Sequence, residues 1–452
     1  MSFMYDHFHD SFRRAVAERE YSGHRIGAEL KFPMVKLDGT AADQQSLHAM
    51  WEYLEQNGWK RIVDRVTGTF AGAQIAGPMN DTVASCETGY CKPEFSLAHV
   101  ANLFELNESI GELRELLNPF LKDQGIRLLG YGIQPVTPPS GSLLFKKARS
   151  CFWDRAVPSN LCIPREQGDD VHLFTVNAGS HVHVSVDLDD AVDAVNVLNG
   201  LAGPQIALTA HSPVWQGKPD DRYVCVNEKL WDWWKPAATR SGVPQRAFVD
   251  LEDYVRTIEN LAPIYVRRDG HPILLPEFQT FGEYFGSGET MGQSLDGKPV
   301  AVVPQSEDIR IHNSCYWYTA RISRYFTVEN RVFDQQPPDD LLCASALTLG
   351  LVSALEQAKK LVSDCAWAEL RQARETACQH GLAAEGEGAS LLELAARMLE
   401  IAESGLVQRG LGEEVFLGPL KKRLQAKTCP AQHALALFED AGVEGLVEQL
   451  AL

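Results

Sequence analysis

The chain has 452 residues, 45% hydrophobic and 23% charged, with a formal net charge of −18 from 42 basic and 60 acidic groups. That balance lacks the clustered basic surface a nucleic-acid partner needs, though bound magnesium can reverse the local sign of a site, so an anionic substrate stays open. No stretch reaches the roughly 20 apolar residues of a membrane span, and Asp6 and His7 stand where a signal peptide would be basic and then apolar.

Ten cysteines with no Cys-x-x-Cys among them read as reduced thiols in a cytoplasmic chain. Cys86 and Cys91 read as small, partly buried hydrophobes. There is no internal repeat and no low-complexity tract. Residues 8–20 read as a short helix, His24–Val35 as a strand entering the core, and Leu47–Trp59 as a helix. Leu103, Leu106, Ile110, Leu113 and Leu117 recur at spacings of three and four, which predicts a helix with one buried face. Gly130–Ser142, with Pro135, Pro138 and Pro139, reads as a loop. His181–Asp187 alternates polar and apolar residues as a half-buried strand does, and Asp189–Leu201 follows with helical spacing. Ile273–Leu275 is a short strand candidate. Phe281–Gly292 holds four glycines and few anchors, which reads as a mobile segment. Thr327–Phe333 is the last strand. From Asp339 onward the chain is helix-forming, broken by glycines at Gly381–Gly388 and Gly410–Gly412. Strands followed by a helical tail predict an α+β fold instead of alternating βαβ units.

Three familiar chemistries find no support. A P-loop, a Gly-x-Gly-x-x-Gly turn after a strand and a Gly-x-Ser-x-Gly elbow are all absent. His181 and His183 share one strand face with Ser185 and Asp187, so both imidazoles could reach one zinc ion. A zinc hydrolase on a (β/α)8 barrel would want that pair on its first strand, with regular βα alternation after it, and neither condition holds. The plain alternative is a polar strand face that meets water.

Isolated acids inside apolar strands carry more information. They occur in Arg25-Ile-Gly-Ala-Glu29-Leu-Lys31, in Cys86-Glu87 through Glu94-Phe-Ser96, and in Thr327-Val-Glu329-Asn-Arg331-Val-Phe-Asp334. An acid facing inward from a strand is costly unless a cation or metal compensates it. Local pairing is one solution, Glu29 with Arg25 or Lys31 and Glu329 with Arg331. Three such segments together favour a shared site of oxygen ligands, which suits magnesium bridging to nucleotide phosphates.

Here the residues resemble a family. Glu329-x-Arg331-x-x-Asp334, preceded by His312 and Arg321, is similar to the C-terminal signature of the plant and bacterial glutamate–cysteine ligases. Glu29 lies in a segment resembling that family's Gly-x-Glu-x-Glu strand, and Glu87 and Glu94 resemble its Glu-Pro-Gly-Gly-Gln-x-Glu-Leu-Ser segment. His181-Val-His183-Val-Ser-Val-Asp187, Ala210-His-Ser-Pro213 and Trp234–Tyr254 follow in matching order. The resemblance covers roughly residues 22–360, and the tail is compatible with it.

The resemblance implies a glutamine-synthetase-like catalytic domain over 1–360, with a curved, mainly antiparallel sheet flanked by helices, and 361–452 as a helical region packed on that domain. It implies an ATP- and Mg2+-dependent ligase, with Mn2+ an alternative ion, that forms an acyl phosphate and then the amide of γ-glutamylcysteine in glutathione biosynthesis. Its partners would be small-molecule substrates, with a homo-oligomer open. Implied metal ligands are Glu29, Glu87, Glu94 and Glu329. Arg321 and Arg331 are implied as bidentate donors to phosphate or carboxylate, with Glu329 beside them in catalysis. His183, Arg321 and Arg324 would bind nucleotide; Lys147, Arg149 and Arg331 would bind substrate. Two departures stand out. Lys31 occupies the position of the family's second glutamate, where a lysine neutralises one ligand or replaces one metal, and Thr88–Pro93 replaces a glycine-rich turn with one extra residue. They leave open a ligase of the same scaffold acting on another amine, or a non-catalytic metabolite-binding relative.

Overall fold

The computed structural model describes residues 3–19, 21, 23–148, 172–233, 239–383 and 391–452. Its centre is an eight-stranded sheet of β1 (Ile26–Lys31), β2 (Lys60–Val63), β3 (Phe70–Ile75), β4 (Thr82–Cys86), β5 (Pro93–Ser96), β6 (Gly179–Ser185), β7 (Ala320–Ile322) and β8 (Thr327–Asp334). Every pairing is antiparallel, in the order β7-β8-β6-β1-β5-β4-β3-β2. The middle of the sheet is therefore built from segments about 150 residues apart in the chain. β1 runs between β5 and β6, and β8 closes onto β6 from the other side.

Alternation along these strands separates two faces. Ala28, Leu30, Phe95, Val182, Val184 and Val328 are buried in the main hydrophobic core. Helices Leu188–Gly200, Ala202–Thr209 and Cys343–Ser353 pack against this side. Asn330 also points there, and its amide nitrogen is satisfied: Nδ2 donates to Gln205 Oε1 at 2.7 Å and to Thr348 Oγ1 at 3.0 Å. The opposite face carries Glu29, Lys31, Glu94, His181, His183, Glu329 and Arg331.

The C-terminal helices stack beneath the covering layer. Cys343–Ser353 and Leu391–Arg409 approach backbone to backbone: a Cβ built on Gly405 would lie 2.0 Å from the Gly350 carbonyl oxygen, and one on Gly350 2.3 Å from that of Ala402. Only glycine permits this crossing.

Most predicted elements recur with shifted ends. The first helix is Phe3–Ala17, the second Gln44–Gln56, and the leucine-spaced helix is Leu103–Asp123, its N-terminus capped by Asn102. The expected strand His24–Val35 divides at Pro33, which has no N–H to donate, into β1 and a separate strand, Met34–Lys36. Phe281–Gly292 departs from the sequence reading. It forms a helix, Phe281–Gly286, closed by a Thr280/Glu283 capping box, and then the strand Thr290–Ser294 in a four-stranded satellite sheet. Phe281 stacks on His312 with centroids 4.1 Å apart, so this segment is anchored instead of loose. No helix among the described residues is long and apolar enough to cross a membrane.

Candidate active site

Register decides the site. Lys31 stands opposite Glu94 across β1 and β5, Glu29 opposite His181 across β1 and β6, Glu329 opposite His183 across β8 and β6, and Arg321 opposite Glu329 across β7 and β8. Five strands thus bring acids, bases and histidines from distant segments into one buried polar cluster on the side of the sheet away from the main hydrophobic core.

The two Glu29 oxygens face different neighbours. Oε2 lies 3.1 Å from Lys31 Nζ and 2.9 Å from His181 Nδ1. Oε1 lies 3.3 Å from His183 Nε2, in a geometry that leaves this buried nitrogen without a hydrogen bond; His183 Nδ1 is shared with Thr327 Oγ1 at 2.9 Å. Glu329, 2% exposed, accepts from Arg321 Nε at 2.7 Å and is paired with Arg331 through its other oxygen. Lys31 Nζ also lies 3.4 Å from Glu94 Oε2 and 2.9 Å from His181 Nδ1. Ser96 Oγ donates to Glu94 Oε1 at 2.9 Å.

Burial would push these carboxyls up, and the paired cations decide the outcome. At Glu29 burial is outweighed by the Lys31 ammonium and by the His181 and His183 imidazoles beside it, which hold the carboxyl well below its usual range. At Glu329 the Arg321 and Arg331 guanidiniums do the same. Glu94 goes the other way: burial, with Glu87 and Glu29 adding to it, raises it despite Lys31. Burial, then Arg331 and Lys31, lowers the His181 imidazole to about 3, so it stays neutral. Lys31 is held firmly charged, its burial outweighed by Glu94 and Glu29.

Glu29, His183 and Glu329 each offer one ligand atom, all within 4.8 Å of one another. Two carboxylates and an imidazole at that spacing, with His183 Nε2 lacking a partner, fit a single divalent cation such as magnesium or manganese. His181 does not join this set, so the two imidazoles of the strand do not converge on one ion. Glu94 is turned to Lys31 instead.

A cleft opens beside the cluster, lined by Lys31, Glu87, His181, Arg321 and Arg331 on the sheet side. Its far wall is aromatic. Trp231 stacks on Trp317 with centroids 5.7 Å apart and meets Phe174 at 4.3 Å. Polar groups are set into this wall, among them Lys92, whose Nζ donates to Asn177 Oδ1 at 2.6 Å. The helix bearing Trp231, Val226–Trp233, is held from two sides. Asp334 at the end of β8 accepts from Asn227 Nδ2 at 2.9 Å, the His211 N–H at 2.5 Å and Ser212 Oγ at 2.7 Å, and burial raises its carboxyl to about 6. Arg374 donates to Glu228 Oε1 and Asp232 Oδ2, each at 2.9 Å. Asp334 and Glu228 thereby position the wall.

Of the residues singled out in the sequence, Glu29, Glu94, Glu329, His183, Arg321 and Arg331 meet in the cluster, and Glu87 lines the cleft from the turn after β4. Arg324 stands apart: it is exposed between β7 and β8, its guanidinium 4.7 Å from the Tyr325 ring centroid. Lys147 donates to the Cys86 carbonyl, and Arg149 lies outside the described residues. His312 is a core residue whose Nε2 donates to the Ile258 carbonyl at 2.9 Å. Cys86 and Cys91 are buried, and burial raises both thiols to about 12; they are inert packing groups. Sequence reasoning missed the aromatic wall. Its signal was the run Leu230-Trp-Asp-Trp-Trp234, which reads as core until helix Val226–Trp233 is placed.

Comparison with known proteins bears on the family and the fold. The model of glutamate–cysteine ligase family 2 matches residues 25–449. A putative glutamate–cysteine ligase of Rubrobacter xylanophilus is 30% identical over 162 residues, 36% of this chain, and the match spans 40% of that protein. The chloroplastic glutamate–cysteine ligase of Brassica juncea is 25% identical over 401 residues, covering 85% of this chain and 71% of the relative. The crystal structure of a glutamate–cysteine ligase from Francisella tularensis in complex with AMP superposes with a TM-score of 0.55 at 12% identity, over 95% of this chain and 88% of that one, which shows the same α+β, glutamine-synthetase-like fold. The chain belongs to glutamate–cysteine ligase family 2.

Proposed function

We propose that the chain is an ATP-dependent carboxylate–amine ligase working through an acyl phosphate, with glutamate and cysteine as the substrate pair to test first. The observation that carries this reading is the convergence of Glu29, His183 and Glu329 on one cation-sized position beside Arg321 and Arg331, which line the adjoining cleft. In the first step a substrate carboxylate oxygen attacks the γ-phosphorus of ATP and ADP leaves. In the second the amine nitrogen attacks the acyl carbon, phosphate leaves, and the amine gives up a proton. Phosphoryl transfer depends on position and charge more than on covalent help from the protein. A divalent cation held by Glu29, His183 and Glu329 would supply charge neutralisation for the phosphates. Arg321 and Arg331 face the cleft with their positive charge fixed by Glu329, ready to orient an anionic group. Lys92 and Asn177 offer further polar contacts, and the aromatic wall excludes water from the acyl phosphate, whose hydrolysis would waste ATP.

A second reading keeps the chemistry and changes the amine. Trp231, Trp317 and Phe174 present an aromatic surface broader than a cysteine side chain needs, which favours a bulkier acceptor. ADP release measured with Mg2+, ATP and glutamate against a panel of amines separates the two. Saturable turnover with cysteine supports the first, and turnover only with larger or aromatic amines supports the second. Absence of ADP release with every carboxylate and amine pair would refute the ligase reading.

A further inference from the structure

We propose that the Lys31 ammonium is a tethered cation that fills the position between Glu29 and Glu94, so that this chain takes one protein-held divalent ion where an all-carboxylate cluster would take two. This deepens the ligase reading and rests on it. Lys31 is 2% exposed and lies on the inward face of β1, opposite Glu94. Its Nζ sits 3.1 Å from Glu29 Oε2 and 3.4 Å from Glu94 Oε2. Its other close neighbour is His181 Nδ1 at 2.9 Å.

The carboxylate of Glu29 divides the cluster. Its Oε2 is committed to Lys31 and His181, while Oε1 faces His183 Nε2. His183 Nε2 is buried and has no hydrogen-bond partner, and it belongs to the set with Glu29 and Glu329 that fits an ion. Glu94 Oε2 is likewise buried without a hydrogen bond, and the Lys31 ammonium lies 3.4 Å from it. Two buried acceptor positions therefore differ in what completes them: one retains an open nitrogen ligand, the other is already faced by a fixed positive charge. An ammonium at ion-like distance from two carboxylates neutralises them without dehydrating a metal, and its charge repels a second divalent ion from the same space. A lysine also cannot dissociate, so the Glu94 side is compensated whatever the metal concentration.

The test counts bound Mn2+ on the full chain, added alone without nucleotide, from the electron paramagnetic resonance signal of the free aquo ion. Wild type should bind one equivalent. Lys31→Glu should bind two, because it replaces the resident cation with a ligand between Glu29 and Glu94; a thermal melt confirms that this variant is folded. Glu94→Gln, which keeps shape and should fold even if Lys31→Glu does not, should retain the single equivalent with its affinity changed less than about threefold. Two equivalents in wild type, one in folded Lys31→Glu, or loss of Mn2+ in Glu94→Gln would each overturn the proposal. No bound Mn2+ in a wild-type protein that still makes ADP would overturn it while sparing the ligase reading; no Mn2+ and no ADP would remove both.

Discussion

Glu329→Gln gives the most direct test of how the cluster is balanced. The substitution keeps the shape of the side chain and deletes one charge. Arg321 and Arg331 are left with side chains only 12% and 11% exposed and without their shared counter-charge. Removing one partner from a buried ion pair costs about 3–5 kcal/mol, because the remaining charge is stranded in a poorly solvated place. Unfolding entropy near the midpoint is about 2.1 cal/mol/K per residue. For 452 residues that is about 0.95 kcal/mol/K, so the expected fall in Tm is about 3–5 °C. Turnover should fall further, by about 10²-fold or more, since an electrostatic group aimed at developing charge is worth that much. Differential scanning calorimetry and ADP release measure the two effects on the same preparation. A Tm within 1 °C of wild type, on the order of the scan's reproducibility, together with turnover unchanged, would show that neither arginine depends on Glu329 and would refute the account of the site.

Two further outcomes follow from the geometry. Burial lowers the His312 imidazole to about 3 from an ordinary value of 6.5, so the folded protein holds it neutral while the unfolded chain takes up a proton. Its contribution to stability is complete above pH 6.5 and is lost as pH falls below that value, by about 1.4 kcal/mol per pH unit. His312→Gln, which still donates to the Ile258 carbonyl, should remove that slope between pH 6 and 4; urea midpoints across this range check it, and an unchanged slope counts against it. At the aromatic wall, Trp231→Ala should raise the KM for the amine about tenfold, a loss typical of one truncated apolar contact, and lower kcat by less. Equal effects on the KM of ATP and of the amine would argue that the wall does not belong to the amine's pocket.

Much of this protein could be read from its residues because the key strands announce themselves in two ways at once. β1, β6 and β8 alternate with period two, and each carries a charged or imidazole group on one phase of that alternation. What a single sequence does not contain is register across segments about 60 to 150 residues apart. That Lys31 meets Glu94 and not another acid depends on β1 pairing with β5, a choice made by the core residues Leu30 and Phe95 on the other face. Arg321 and Arg324 look equally suited to bind an anion in the sequence; the antiparallel turn between β7 and β8 sends one inward and the other to solvent. Phe281–Gly292 is more ordered than its composition suggests for a related reason. Its glycines argue for mobility locally, but Thr290–Ser294 gains its hydrogen bonds from His271–Leu274 and Pro299–Val302, and Gly292 is needed where a Cβ would strike Ile273 at 2.5 Å.

The crossing of Cys343–Ser353 with Leu391–Arg409 has a practical consequence for anyone shortening the chain. With no side chains between Gly350 and Gly405, parting the two helices would expose apolar residues of both, Leu347 and Leu351 on one side and Met398 and Leu406 on the other. A version ending before residue 391 would leave the layer behind the active sheet bare and prone to self-association. Tags and fusions belong at the surface-facing turns, and the last third of the sequence has to be carried along even where none of its residues touches a substrate.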